Sequence, residues 1–492
     1  MDSDILSFEA VHVVQLHPNQ TLTPMNKPYL LCFFQLLLLT VSSCEFGDYN
    51  VSPNRPKTVI LNQVLPGTQA QSASNIVSIG ARVTGTVVQH FKGINAQPEG
   101  YTNYVIDERT LDTYWQTGLY AGAMKDCADL INRGTELNQP HYVGIGKVLM
   151  AFNLGIATSL WGDVPYSEAF GGGENLLPAY DTQESIYDSI QTLLDEAILA
   201  LSEPAGATAP VGGDLIFNGS ASRWTATARS LKARYYLHLT RRDRTAAAKA
   251  LAQLALGGIT SVGTQPDFSF SLADNGANPI AMYGQERPGQ LVLGDQLVRQ
   301  LLDKRDPRLS KYTRLVGGNY LVYQANNPSL FWAQKDTRIP LISYAEVKFI
   351  EAEAHLRTAN EVSAAAALAA AITANMQQLG IAAPDYSLYV ATYGNFRGLS
   401  SLEQKLKLLV EQKYVALYGQ GTLEAWVDYR RTGYPELVVP RGVEASFNPS
   451  RVVPRRYLYP ISERNTNNAS VEAAIRRQGG HLMDVDTWAF KP

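Results

Sequence analysis

Two stretches decide the fold of this sequence, WTATARSLKARYYLHLTRRDRTAAAKALAQLAL at residues 224–256 and YAEVKFIEAEAHLRTANEVSAAAALAAAITANMQQL at residues 344–379. In each stretch apolar residues recur with the period of an α-helix, a short polar turn follows, and an alanine-rich segment comes next. The two apolar stripes comprise Trp224, Ala228, Leu231, Tyr235 and Leu239, and Ala345, Phe349, Ala352 and Leu356. Small alanine side chains allow close approach of a neighbouring helix, so each stretch predicts one pair of packed helices.

The same helical period extends outward from these two units. It recurs over residues 185–201 and 402–417, and a further helical pair is predicted within 110–160. The units have about the 34-residue length of a tetratricopeptide repeat, although none carries the full consensus of that repeat. The sequence therefore predicts a mainly α fold, a tetratricopeptide-like right-handed helical superhelix.

Three helix beginnings are predicted from capping residues. Ser343 with Glu346, and Ser401 with Gln404, have the spacing of a capping box, in which two side chains satisfy free backbone N–H groups reciprocally. Asp181 and Glu184 have the same spacing, with Asp in place of the usual Ser or Thr. Each pair predicts that a helix begins directly after its first member.

Strand signals are sparse and the predicted loops are long. KYTRLVGGNYLVYQ at residues 311–324 predicts a hairpin, because apolar residues alternate on either side of Gly317, Gly318 and Asn319. Irregular loops are expected over 204–222, 257–294 and 314–342. Loops of this length in a compact protein are usually functional or disordered, which makes them the first place to look for a binding site.

Composition narrows the class of protein. Charged residues make up 18% of the chain and the formal net charge is -3, which argues against a basic nucleic-acid surface. The chain has 26 Tyr, 38 Gly and 25 Pro. This combination favours ordered loops that carry aromatic faces, although a tyrosine-rich core is the simpler interpretation.

The N-terminal region predicts export and lipid attachment. MNKPYLLCFFQLLLLTVSSC at residues 25–44 has the basic start, short apolar run and small residues of a signal peptide, and Cys44 follows them as in a bacterial lipobox. We expect residues 1–24 to be a misassigned upstream extension, 25–43 the signal peptide, 44–70 the lipidated Cys44 with a tether, and 71–492 a single domain. The rival interpretation is a cytosolic protein that buries this apolar segment.

No motif in the sequence indicates catalysis. HExxH, GxSxG and CxxC are absent, and GIGKV at 144–148 lacks the residues that a phosphate-binding loop needs on both sides. Cys127 would be the one cysteine left after processing, which leaves no partner for an internal disulfide. We therefore predict no catalytic residues, no cofactor and no metal site, with a secreted helical glycosidase as the enzyme alternative.

Six segments in order resemble the SusD/RagB family of nutrient-binding outer-membrane lipoproteins. They are YWQTGLYAGAMKDCADLIN (114–132), IATSLWGDVPYSEAF (156–170), DKRDPRLSKY (303–312), PLISYAEVKFIEAEAHLR (340–357), EQKYVALYGQGTLEAWVDYRRTGYP (411–435) and RRYLYPISERNTNN (455–468). Structural roles are expected for most of the residues in these motifs. Trp115 should lie in the core, WGDVPY should form a turn at a helix end, and Arg456 should pair with Glu463, with Asn465 bonding to the backbone.

The resemblance implies a binding protein and not an enzyme. Proteins of this family lie over a SusC-like TonB-dependent transporter as a hinged lid and present oligosaccharides or peptides to it, so the resemblance implies a lipid-anchored protein at the cell surface of the outer membrane. It implies no nucleic-acid partner. A peptide-binding member of the same family, or a helical-repeat adaptor for protein partners, remains the alternative.

Ligand-binding residues are expected on the long loops, because the aromatic residues of the predicted helices fall on apolar stripes. Aromatic rings and polar side chains together suit the apolar faces and hydroxyls of sugars. The candidates are Tyr283, Gln285 and Arg287 in NPIAMYGQERPG, Tyr320 and Tyr323 in GGNYLVYQ, Trp332 in SLFWAQKD, and Tyr101 and Tyr104 in EGYTNYV.

Overall fold

The computed structural model describes residues 60–206, 211–325, 327 and 329–491. The expected upstream extension, the signal peptide and the acylated Cys44 lie outside these residues. The first helix begins at Leu61, and Leu65 is fully buried. The last part of the expected tether, 61–70, is therefore helical and belongs to the same compact unit as the rest of the described chain.

The fold is mainly α, as predicted. Its helices in chain order are α1 (Leu61–Val77), α2 (Ile79–Val87), α3 (Ala96–Thr102), the π-helical α4 (Tyr114–Met124), α5 (Lys125–Glu136), α6 (Pro140–Trp161), α7 (Gln183–Ser202), α8 (Ala221–His238), α9 (Ala246–Ala255), α10 (Pro279–Glu286), α11 (Asp295–Asp303), α12 (Leu309–Tyr312), α13 (Tyr344–Arg357), α14 (Glu361–Gln378), α15 (Ala383–Tyr393), α16 (Leu402–Ala416), α17 (Thr422–Thr432), α18 (Ile461–Thr466) and α19 (Asn468–Gln478). Helices α5 to α9 pack each on the next, α9 packs on α13, and α13 packs on α14 and α16. The predicted pairs α8–α9 and α13–α14 are confirmed.

Helix α6 is the central element of the core. It is long and apolar enough to span a membrane, but 94% of its most apolar window is buried inside the protein, as expected of a core helix. Small residues let other helices approach it. A Cβ on Gly155 would lie 2.1 Å from the hydroxyl oxygen of Tyr235, so only glycine allows α8 to pack this closely.

Buried charges connect four of the helices. Arg234 of α8 donates to Glu346 of α13, Arg431 of α17 donates to Glu353 of α13, and Lys413 of α16 pairs with Asp428 of α17. His238 and Glu424 extend the same network between α8 and α17. A buried charge requires a partner with good geometry, so this network specifies how the four helices meet.

The capping predictions have different outcomes. The box at Ser401 and Gln404 is formed, since each side chain accepts from the backbone N–H of the other. Ser343 caps α13 by accepting from the Glu346 N–H, but the Glu346 carboxylate pairs with Arg234 and not with the cap. The predicted box at α13 is therefore only half formed, because a buried guanidinium offers the carboxylate a stronger partner.

The Asp181 cap is wrong by one residue. Thr182 caps α7 by accepting from the Ser185 N–H, while the Asp181 carboxylate accepts from the backbone N–H groups of Tyr166 and Ser167. Asp181 thus holds the predicted turn that follows Gly162, where the backbone leaves α6 with a φ of 86°.

The strands are short and serve to hold the loops. A four-stranded antiparallel sheet has the order β1 (Phe91–Gly93), β3 (Leu291–Leu293), β5 (Asn319–Leu321) and β4 (Arg314–Val316), and β2 (Asp267–Ser269) pairs with β6 (Arg338–Pro340). The β4–β5 hairpin is the one predicted. The segment 257–294, predicted to be irregular, contains β2, α10 and β3.

A C-terminal segment closes over the end of α6. The backbone N–H of Tyr457 donates to the Leu160 carbonyl at 2.9 Å, the Trp161 indole donates to the Leu458 carbonyl at 2.9 Å, and the Tyr459 hydroxyl donates to the Asp163 carbonyl at 2.6 Å. This segment therefore completes the surroundings of the WGDVPY turn.

The residues of that segment that were expected to pair have other partners. Arg456 donates to the carbonyls of Gly480 and Leu482, and Glu463 accepts from the Tyr180 hydroxyl, so the predicted Arg456–Glu463 pair is wrong. Asn465 is exposed, and it is Asn467 that donates to a backbone oxygen, the Pro178 carbonyl. Trp115 and Cys127 are both buried in the core, as expected.

Candidate functional site

Five of the expected ligand-binding residues lie in two nearby elements, and three of these five line one surface recess. We call it the Tyr283 recess; its lining residues are Arg82, Phe91, Ile280, Tyr283, Gly284, Arg287, Gly289, Leu291, Val322 and Tyr323. They come from α2, β1, α10, the turn into β3, β3 itself and the residues that follow β5. The cavity has a volume of about 10 Å³, which is room for about one water-sized group and not for a whole sugar ring.

Helix α10 places Tyr283 at this position. Asn278 caps the helix by accepting from the Ile280 N–H at 3.0 Å, and Pro279 supplies a φ suited to the first turn. The Asn278 amide also donates to the Trp332 carbonyl at 2.9 Å, which holds the beginning of α10 against the segment before β6. The Tyr283 hydroxyl donates to Gln290 at 2.9 Å and so connects the two ends of the 284–290 turn.

Gly284 allows Tyr323 to lie against α10. A Cβ at Gly284 would stand 2.3 Å from Cγ of Tyr323, far inside any normal contact. The helix and the end of the hairpin can therefore approach only while residue 284 has no side chain. This contact brings the phenol rings of Tyr283 and Tyr323 into the same recess.

Two arginines give the recess a positive charge. The Arg82 guanidinium lies 4.2 Å from the centre of the Tyr283 ring, and the Arg287 guanidinium lies 5.9 Å from it, both within reach of a cation–π contact. Burial lowers the pKa of Arg82. Burial raises the pKa of the Tyr283 phenol, and the two guanidinium groups partly offset that rise. At neutral pH Arg82 remains cationic and the Tyr283 phenol remains neutral, because the ordinary pKa values of both groups lie far from 7.

Gln285 and Tyr320 lie beside the recess and not in it. Gln285 is exposed on α10, and Tyr320 is half-buried on β5, opposite Leu315 of β4. Leu315 is exposed, so the hairpin presents an apolar surface next to the recess. Both residues could contact a ligand larger than the recess itself.

Trp332 is not available at the surface, contrary to expectation. Its side chain is only 3% exposed, and it packs over Gly419, where a Cβ would stand 2.3 Å from its Cγ. Phe331 covers it edge to face at 4.8 Å. The aromatic ring in this loop anchors the loop to the end of α16.

Tyr101 and Tyr104 are also buried, with exposures of 5% and 0%. Burial raises the pKa of Tyr101 to about 12 and raises that of Tyr104 further. The expectation that these two rings are open to a ligand is wrong, because both belong to the core beneath α2. Tyr101 supports the recess indirectly, since its phenol lies near enough to Arg82 to influence that guanidinium.

Arg82 was not singled out from the sequence. It lies in the segment IGARVTGTV, which contains no aromatic residue that would indicate a site. It reaches Tyr283 only because α2 and α10 meet in the folded chain. No local signal could have found this contact.

Comparison with known proteins identifies the family. Residues 53–460 match the SusD-like family described as "Starch-binding associating with outer membrane". No curated protein matches the chain.

Solved structures share the fold. A chitin-binding protein aligns with a TM-score of 0.73 at 23% identity, over 88% of this chain and 100% of its own. A SusD/RagB family protein of Bacteroides thetaiotaomicron gives 0.71 at 23% identity (88% and 99%), and a SusD homologue of Bacteroides uniformis gives 0.73 at 20% (87% and 99%). The match over most of its length shows that this chain belongs to the SusD-like family, associated with nutrient binding at the outer membrane.

Proposed function

We propose that this protein is a cell-surface lipoprotein that binds an oligosaccharide and delivers it to a SusC-like TonB-dependent transporter. Membership of a family described as starch-binding supports the ligand class. The observation that carries the proposal is the Tyr283 recess, where two phenol rings and two guanidinium groups from separate parts of the chain meet at the surface.

The groups in the recess suit a sugar ligand. Phenol rings provide apolar surface for the CH faces of a sugar, and guanidinium groups donate hydrogen bonds to its oxygens. Each ring contact would contribute about 1 kcal/mol. A few such contacts give affinities from micromolar to millimolar, or about -8 to -4 kcal/mol, which is adequate for capture followed by release to a transporter.

The anchor and the partner rest on the sequence and the family. Acylation of Cys44 would hold the protein at the membrane, since several acyl chains on one residue give stable attachment. We expect a Cys44→Ala chain to lose incorporation of labelled palmitate and to leave the membrane fraction. Palmitate in the Cys44→Ala chain would refute the assignment of Cys44.

Partner association is tested separately. The intact protein, solubilised in mild detergent from its own membranes, should co-purify with a large outer-membrane β-barrel. Recovery of only soluble peptides or proteins would favour the adaptor alternative.

Ligand binding is tested by calorimetric titration with a panel of oligosaccharides. Tyr283→Ala should weaken binding by about fivefold, the equivalent of about 1 kcal/mol for one ring. Tyr386→Ala is the matched control, because Tyr386 is a half-buried tyrosine on α15, which contributes nothing to the recess. Equal losses in the two variants, or none in either, would show that the recess is not the binding site.

A further inference from the structure

The charge of the Tyr283 recess is not compensated. Among the described residues, the Arg82 side chain donates no hydrogen bond to a protein acceptor and has no carboxylate within 4.0 Å. Its guanidinium lies 4.2 Å from the centre of the Tyr283 ring. Arg287 also has no carboxylate within this distance. The exposed Glu286 raises the pKa of Arg82, but this effect is smaller than those of burial, Tyr283, Tyr101 and Arg287.

Each of the fully buried arginines in the described part of the chain donates to at least one protein acceptor, although Arg430, Arg431 and Arg456 each keep one nitrogen without a partner there. Arg234, Arg308 and Arg431 each donate to a carboxylate at 2.6 to 2.7 Å. Arg430 and Arg456, which lack a carboxylate, donate to backbone carbonyls. The half-buried Arg82 has neither kind of partner, although a guanidinium carries five N–H donors.

The position of Arg82 also limits what can stack in the recess. Its guanidinium covers one face of the Tyr283 ring, so that face is closed to a sugar. Arg82 and Arg287, whose guanidinium groups carry N–H donors, both line a space that holds about one water-sized group. No carboxylate lines this space, so a bound anion would meet no repulsion from the lining.

We infer that the Tyr283 recess binds an oxyanion carried on a sugar, a carboxylate or a sulfate ester, so that the ligand is an acidic oligosaccharide. This inference rests on the proposed function and narrows its substrate class. A planar guanidinium fork matches the geometry of such oxyanions and donates charge-assisted hydrogen bonds, which are roughly twice as strong as neutral ones. The rest of the oligosaccharide would lie across Tyr323 and the exposed hairpin.

The test is calorimetric titration of the full-length chain in detergent with four probes. These are an oligogalacturonate, a sulfated galactan oligosaccharide, a neutral galactan oligosaccharide of equal length, and tetraglutamate. The acidic oligosaccharides should bind at least tenfold more tightly than the neutral one. Their affinity should fall as salt rises from 50 to 500 mM, because a contact between charges at the surface is screened.

Variants locate the effect. Arg287→Gln and Arg82→Gln should each weaken binding of the acidic probe tenfold to a hundredfold, as expected for loss of hydrogen bonds to a charged group. Binding of the neutral probe should weaken only about fivefold, as expected for loss of a neutral hydrogen bond. Arg287 is exposed, so its variant should fold even if the Arg82 variant does not. Arg397→Gln is the matched control, because Arg397 is an exposed arginine outside the recess.

The outcomes separate the two proposals. Equal affinity for acidic and neutral oligosaccharides, without an effect of salt or of the arginine variants, would overturn the inference and leave the proposed function standing. Absence of binding by every oligosaccharide would overturn the proposed function itself. Tighter binding of tetraglutamate than of either acidic sugar would show that the recess selects peptide carboxylates, which also overturns the inference.

Discussion

Replacing Glu353 with alanine should destabilise the protein strongly, because this carboxylate is the centre of the buried charge network. Its side chain is 0% exposed and accepts from Arg431 through both oxygens, and from Arg357 at 2.7 Å. Burial alone would raise the pKa of Glu353, but the two guanidinium groups hold it well below its usual range. Glu353→Ala leaves the buried Arg431 with Asp428 as its remaining carboxylate.

The size of the effect follows from this geometry. Removing one partner of a buried pair costs about 3–5 kcal/mol. With an unfolding entropy of about 2.1 cal/mol/K per residue over the unit 59–492, or about 0.9 kcal/mol/K, the Tm should fall by about 3–6 °C. Urea unfolding followed by circular dichroism gives the free energy, and calorimetry gives the Tm.

Glu351→Ala is the control on the same helix. Glu351 pairs with Lys348 at 2.6 Å in a partly exposed i,i+3 contact, and its loss should cost less than about 1 kcal/mol. If Glu353→Ala costs no more than Glu351→Ala, the buried network does not hold the helices together.

The pH dependence gives a second check on Glu353. The pKa of Glu353 is depressed in the folded chain, so its contribution to stability is complete above the unfolded pKa of about 4.3 and is lost as the pH falls through the folded pKa. The difference in free energy of unfolding between the wild-type chain and Glu353→Ala should therefore shrink below about pH 4. A difference that stays constant from pH 7 to pH 3 would contradict the ionic origin of the effect.

Two further predictions concern the recess and the acid stability of the core. Gly284→Ala should displace Tyr323, whose Cγ lies 2.3 Å from the new Cβ, and so weaken ligand binding several-fold. Gly173→Ala is the control and should do neither, because a Cβ there meets nothing within 4 Å. A Gly284→Ala chain that binds normally would refute the role of this contact. His90 is buried with its pKa lowered to about 3, chiefly by burial, so the unfolded chain binds one more proton between about pH 6.5 and pH 3 and stability falls as the pH falls. From pH 7 to pH 5 His90 accounts for a loss of about 2 kcal/mol. The total loss, measured by urea unfolding at both pH values, should therefore be about 2 kcal/mol smaller in His90→Phe and unchanged in His355→Phe. An unchanged loss in His90→Phe would assign the acid sensitivity to other groups.

Local features of the fold were predictable from the sequence because both partners lie within one turn of the chain. Ser401 and Gln404 are three residues apart, and their capping box formed as expected. The period-3.6 stripes located α8 and α13 for the same reason. Glu346 shows where this reasoning ends, since a guanidinium 112 positions away, on α8, took the carboxylate from its expected cap.

The candidate site was predictable only in part. The segments that contain Tyr283 and Tyr323 were predictable, since tyrosines beside Gly and Pro are visible in the sequence, but Tyr283 lies on helix α10 and not on a loop as expected. Trp332 was misjudged, because its burial depends on Gly419, a residue far along the chain whose missing side chain makes room for the indole. Arg82 was missed for the opposite reason, since nothing near it in the sequence indicates the ring that it covers.

The closing of residues 457–459 over the end of α6 has a consequence for how the molecule is made. Helix α6 is synthesised about 300 residues before residues 457–459, since Trp161 and Leu458 are 297 positions apart. Residues 457–459 supply the partners of the Leu160 carbonyl and of the Trp161 indole. Until residues 457–459 emerge from the ribosome, the growing chain exposes an apolar helix end with unpaired polar groups, a surface to which chaperones would bind. A chain truncated before residue 457 should therefore be removed by proteolysis and not accumulate as a shortened binding protein.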